Sequence, residues 1–84
     1  MKQNRQLGKM ILEVVDNQLQ AGKPPETRAT FQRLLDQGIS QAEAKRLIAC
    51  VVAGEMFDVL RTDQPFNPER FTAALNRLPE LAED

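Results

Sequence analysis

Histidine, tryptophan and tyrosine are all absent from this 84-residue chain, and it has one cysteine, Cys50. A single cysteine cannot close an intramolecular disulfide, and without histidine it cannot form a Cys/His zinc site or a Cys–His nucleophile pair. The Glu-x-x-His spacing of carboxylate-bridged di-metal bundles is excluded for the same reason. No glycine-rich phosphate loop or nucleophile elbow is present. We therefore predict no enzymatic activity, no catalytic residue and no cofactor.

The chain also has no large excess of positive or negative charge, since eleven Lys and Arg residues and twelve Asp and Glu residues give a net charge of −1. No overall field attracts the protein to phosphate backbones or anionic lipid. Lys9, Glu13 and Asp16 interrupt the first apolar segment, which a cleavable signal would not tolerate. The longest apolar run also falls short of the roughly 20 residues that span a bilayer. We expect a cytoplasmic protein in which Cys50 is buried and inert.

Apolar residues recur at helical spacing in four segments, which predict a single all-α domain over residues 1–84. The first helix, about 3–21, has an inward stripe and is ended by Gly22. Its stripe consists of Leu7, Ile11, Val14 and Val15. The second helix, about 25–37, begins at Pro25 and ends before Gly38. Its inward residues are Thr27, Phe31, Leu34 and Leu35.

The third helix, about 41–61, has the strongest signal in the sequence. Ser40 and Glu43 form the Ser-x-x-Glu pattern of a capping box, and the residues that follow are apolar around most of the helix. A helix of this kind is normally the buried centre of its assembly. The fourth helix, about 68–78, begins after Asn67, and an acidic tail at 79–84 follows. We predict a compact bundle or orthogonal array of four helices with the third one central.

Two polar residues fall in the centre of apolar faces, Gln18 in the first helix and Glu55 in the third. Burial without partners would cost each several kcal/mol, so each needs a hydrogen bond. We predict a buried polar network in which Gln18 or Arg28 reaches Glu55. The alternative is a carboxylate site, in which Glu55 and Asp58 face a metal ion or a basic partner.

The segment 31–48 resembles a helix-turn-helix, with a short helix, a glycine-containing turn and a capped second helix. This resemblance implies an alternative function, nucleic-acid binding through Gln41, Lys45 and Arg46. Glu43 lies among these residues and the net charge is slightly negative, which argues against that function.

A wider resemblance covers Leu7 to Leu78. It rests on Asn17-Gln18-Leu19 before a Pro-Pro-Glu turn, Arg33-Leu34 before Gly38, Glu43-Ala44, Glu55, and a closing segment from Phe66 to Leu78. These features resemble a small all-helical family of bacterial proteins whose function is uncharacterised. The family often has histidines at the positions of Ala42 and Arg46, which this chain lacks. The resemblance implies a helical fold and the bacterial cytoplasm, and it implies no activity.

These observations favour a non-enzymatic interaction or regulatory module that binds a protein partner or a second copy of itself. Without tryptophan or tyrosine the core must be largely aliphatic, and a second copy would cover any apolar excess. The candidate interaction surface is Met56, Phe57 and Leu60 of the third helix, although each residue would serve equally as ordinary core.

Overall fold

Four helices follow one another with short connections. The computed structural model describes residues 2–81, and the side chains of residues 6–81. The helices are α1 (Lys2–Ala21), α2 (Pro25–Asp36), α3 (Gln41–Thr62) and α4 (Pro68–Arg77). Each end lies within one residue of the predicted end, and the described residues contain no strand. The residues 82–84 of the predicted acidic tail lie outside the described part of the chain.

The helix ends are made by the residues that the sequence indicated. Gly22 and Gly38 adopt positive φ angles of 69° and 90°, in the left-handed region that favours glycine. The Ser40 side chain accepts a hydrogen bond from the Glu43 N–H, at 3.1 Å. The Glu43 carboxylate is bonded to Arg46 instead of reaching back to Ser40, so only one half of the predicted capping box forms.

The core is aliphatic with one buried aromatic ring, and α3 provides much of it. Helix α3 packs against α1, α2 and α4, as predicted for a central helix in an all-α bundle. Helix α2 also packs against the other three, whereas α1 and α4 make no contact within residues 2–81. The buried apolar residues are Ile11, Val15, Leu34, Ala44, Leu47, Ile48, Val51, Val52, Phe71, Leu75 and Leu78.

Two arginines of α2 bind the carboxyl ends of the neighbouring helices. Arg28 donates to the carbonyls of Leu19 and Gln20 at the end of α1. Arg33 donates to the carbonyls of Leu75 and Leu78 at the end of α4. Because the last carbonyls of a helix lack partners within it and carry partial negative charge, these guanidinium groups satisfy them and tie the helices together.

The outer parts of α1 and α3 remain apolar and uncovered. Leu7 and Val14 belong to the predicted inward stripe of α1, yet both are exposed, and only Ile11 and Val15 of that stripe are buried. Met56, Phe57 and Leu60 are exposed near the end of α3. The reason is length, since 12-residue α2 and 10-residue α4 are too short to cover 22-residue α3.

Candidate functional site

An apolar groove of about 640 Å³ lies beside the second half of α3. Eight of its ten lining residues are apolar, and the two polar ones are Gln18 and Glu55. Its apolar lining consists of Pro24, Val52, Met56, Val59, Leu60, Phe66, Pro68 and Phe71. We call this concavity the apolar groove. It is of a size that holds a ligand or the side chains of a partner helix.

The rim of the apolar groove is formed by large side chains that lack cover. Leu60 is 78% exposed, and Met56 and Phe66 are also exposed. The Phe66 ring packs against the Phe71 ring with centroids 5.5 Å apart, which connects the rim to the buried wall of α4. Contiguous exposed apolar surface of this kind typically marks an interaction site.

Glu55 lines both the apolar groove and a neighbouring cavity of about 560 Å³, and it is 6% exposed. Its two carboxylate oxygens each accept from the Arg70 Nε–H, at 3.1 Å. Arg70 Nε also lies 3.8 Å from an oxygen of Asp58. The hydrogen bond to Glu55 raises the pKa of Arg70, and the charges of Glu55 and Asp58 act in the same direction. The buried carboxylate is thus balanced by an arginine from α4.

The predicted network of Gln18, Arg28 and Glu55 does not form. Gln18 accepts a hydrogen bond from the Thr27 hydroxyl, at 2.9 Å. Arg28 binds the end of α1, as described above, and Glu55 binds Arg70. Gln18 and Glu55 do share the wall of the apolar groove without a hydrogen bond between them. Gln18, Arg28 and Glu55 are each hydrogen-bonded, as predicted, but their partners differ from the predicted ones.

The alternative carboxylate site has no vacant carboxylate pair. Asp58 accepts a hydrogen bond from Arg61 at 2.7 Å, and Glu55 is held by Arg70. Within the described part of the chain, no group of three or more potential metal ligands comes together. A cation at Glu55 and Asp58 would have to displace two arginines.

Two of the three candidate nucleic-acid residues, Lys45 and Arg46, are paired with acids. Lys45 forms an ion pair with Asp16 of α1, at 2.9 Å. Arg46 donates to both carboxylate oxygens of Glu43, which raises the pKa of Arg46. Gln41 is exposed and shares a small surface depression with Asp16 and Lys45. Phosphate contacts would compete with these ion pairs.

The three candidate interaction residues divide between two concavities. Met56 and Leu60 line the apolar groove. Phe57, although 60% exposed, lines a second cavity of about 560 Å³ whose wall includes Cys50, Asp58, Arg61 and Arg77. Only Met56 and Leu60 therefore share one apolar surface.

Phe66, Phe71 and Arg70 are site residues that sequence reasoning missed or used differently. Phe71 is buried in the core and also lines the apolar groove. Phe66 could have been recognised from its place between Pro65 and Asn67. A large apolar side chain in a connector belongs to no helix, so it must pack against a neighbouring helix or stay exposed. The signal for Arg70 was its position in the first turn of α4, three residues after the cap.

Comparison with models of known protein families, with curated proteins and with solved structures finds no match. No helix within residues 2–81 has the length and apolar character needed to cross a membrane. The resemblance to a bacterial helical family stays a prediction.

Proposed function

We propose that this chain is a non-enzymatic interaction module that binds an amphipathic helix of a protein partner in the apolar groove. The observation that carries the proposal is the groove itself, with eight apolar residues in its wall and an exposed rim at Leu60 and Phe66. Grooves of this kind bind helices whose apolar side chains recur at i, i+3, i+4 and i+7.

A helix fits this groove better than a small molecule does. A small ligand is normally enclosed over most of its surface, whereas the rim here is open and Leu60 is 78% exposed. A helix lying across the rim would cover Met56, Leu60 and Phe66 together, and burial of such side chains stabilises a complex.

The proposal places the module in the bacterial cytoplasm, as the resemblance to the helical bacterial family implies. A chain with a single cysteine fits a reducing compartment.

A peptide titration tests the proposal. The probe is a synthetic helix of about 16 residues, long enough to be partly helical alone, with leucines at i, i+3 and i+7. A second peptide has the same composition in scrambled order. The protein is labelled with nitrogen-15, and amide shifts are followed. We expect saturable shifts that map to the residues lining the apolar groove with the first peptide and none with the second.

Two variants of α3 provide the control. Leu60→Gln removes an apolar side chain from the groove, and Phe57→Gln removes one of comparable exposure that lines the other cavity. We expect peptide binding to weaken at least about tenfold in Leu60→Gln, as for an interface anchor, and to persist in Phe57→Gln. Absence of saturable binding, or equal losses in both variants, would overturn the proposal.

A further inference from the structure

We propose that the helix bound in the apolar groove is α1 of a second copy of this chain, so that two copies form a two-fold dimer. This inference rests on the proposed function, because it names the occupant of the same groove. Two observations support it: an exposed apolar ridge on α1, and the position of that ridge beside the groove.

The ridge is made of Leu7, Met10 and Val14, which recur at i, i+3 and i+7 and are all exposed. At about 100° per residue these side chains fall within a narrow arc of the helix. Their spacing matches the anchors that an apolar groove accepts from a helix. We call these three residues the α1 ridge. Met10, at 58% exposed, is its most accessible member.

The α1 ridge lies next to the groove in the same molecule. Gln18 lines the groove, and Val14 is one helical turn before Gln18 on the same side of α1. Ridge and groove are therefore neighbouring parts of one surface. A single two-fold axis can then place each ridge in the groove of the other copy, which gives a closed pair instead of an open chain.

The test uses two double variants that damage one surface each. Leu7→Gln with Met10→Gln removes the ridge, and Met56→Gln with Leu60→Gln removes the groove rim. All four side chains are exposed in the single chain, so the fold should persist, which circular dichroism and amide spectra check. Controls are Leu12→Gln on another side of α1 and Phe57→Gln on α3. Sedimentation velocity over a concentration series gives the dissociation constant of the dimer.

We expect the wild type and both controls to dimerise, and each double variant to weaken the dimer at least about tenfold. An equimolar mixture of the two double variants should associate more tightly than either alone. A mixed dimer pairs the intact ridge of the groove variant with the intact groove of the ridge variant. In its second contact both surfaces are damaged, but damage to one surface is enough to abolish a contact, so nothing more is lost.

Other results would overturn the inference and leave the proposed function to the peptide titration. A wild type that stays monomeric at near-millimolar concentration excludes the second copy as occupant. A dimer that survives loss of the groove rim uses another surface, such as ridge with ridge. A dimer that both double variants weaken but that the mixture does not restore does not place the ridge of one copy in the groove of the other. If the monomeric ridge variant still binds the synthetic helix, the groove binds a different protein.

Discussion

The Nε–H of Arg70 in α4 is shared by both carboxylate oxygens of Glu55 in α3, at 3.1 Å each. Glu55 is the one acidic side chain that is buried among residues 6–81. Glu55 lines the apolar groove, whereas Arg70 lines the second cavity, so this ion pair holds α4 against α3 beside the groove.

Removal of Arg70 alone should lower the free energy of unfolding more than removal of Arg70 and Glu55 together. Arg70→Met leaves the buried Glu55 carboxylate without its partner, and we expect lower stability at neutral pH. The double variant Glu55→Leu with Arg70→Met should recover stability, because an apolar side chain suits the site once the charge is gone. Urea unfolding followed by circular dichroism measures both. Additive effects in the double-mutant cycle would contradict the pairing.

Arg33 should hold the end of α4 through its planar guanidinium. We expect Arg33→Met to lower the free energy of unfolding by about 2 kcal/mol, since two carbonyls lose a charged donor. Arg33→Lys should recover only part of this, because an ammonium group cannot reproduce the two-pronged contact. The matched control is Arg77→Met, whose side chain bonds to nothing among residues 6–81. Equal stability of the two Met variants would refute the role.

Asn67 should contribute as the cap of α4. Its side chain accepts from the Arg70 N–H at 3.1 Å, and thereby fixes the turn that carries the partner of Glu55. Replacement by Ala should cost about 1 kcal/mol, and replacement by Asp should cost much less because Asp is an equally good cap. Thermal unfolding of the two variants provides the comparison, and identical losses would show that the cap bond contributes nothing.

The pair of Glu43 and Arg46 should make stability depend on pH in the acid range. The hydrogen bond from Arg46 lowers the pKa of Glu43 from its ordinary 4.5, and the positive charge of Arg46 adds to this. A lowered pKa in the folded state means that the contribution is complete above pH 4.5 and is lost as pH falls through the lower folded value.

In Glu43→Gln, the free energy of unfolding should therefore depend less steeply on pH in the acid range. Its slope near pH 7 should be almost unchanged. Because Glu43 is exposed, the effect should also shrink with salt. A variant whose curve retains the wild-type slope between pH 2 and 5 would exclude Glu43 as its source.

The helix ends could be predicted because local residues determine them. Gly22 and Gly38 end helices through positive φ angles, Pro25 and Pro68 begin them, and Ser40 and Asn67 supply caps. The central place of α3 followed from its apolar circumference. These features depend on chemistry within a few residues, so the sequence carries them.

The partners across helices could not be predicted. Gln18, Arg28 and Arg70 all lay on helices expected to flank Glu55, and the rotation of each helix decides which one reaches it. That rotation comes from packing of the whole core. The exposure of Met56 and Leu60 depends likewise on how far the shorter helices extend along α3, which helical periodicity does not encode.

The most direct test of the account is contact between copies at the groove. In a sample that mixes carbon-13-labelled and unlabelled protein, an isotope-filtered nuclear Overhauser experiment selects contacts between different molecules. We predict cross-peaks joining the Met10 methyl of one copy to the Leu60 methyls of the other. Cross-peaks between the two Met10 methyls with none to Leu60, in a sample shown to be dimeric, would contradict the groove as the binding site.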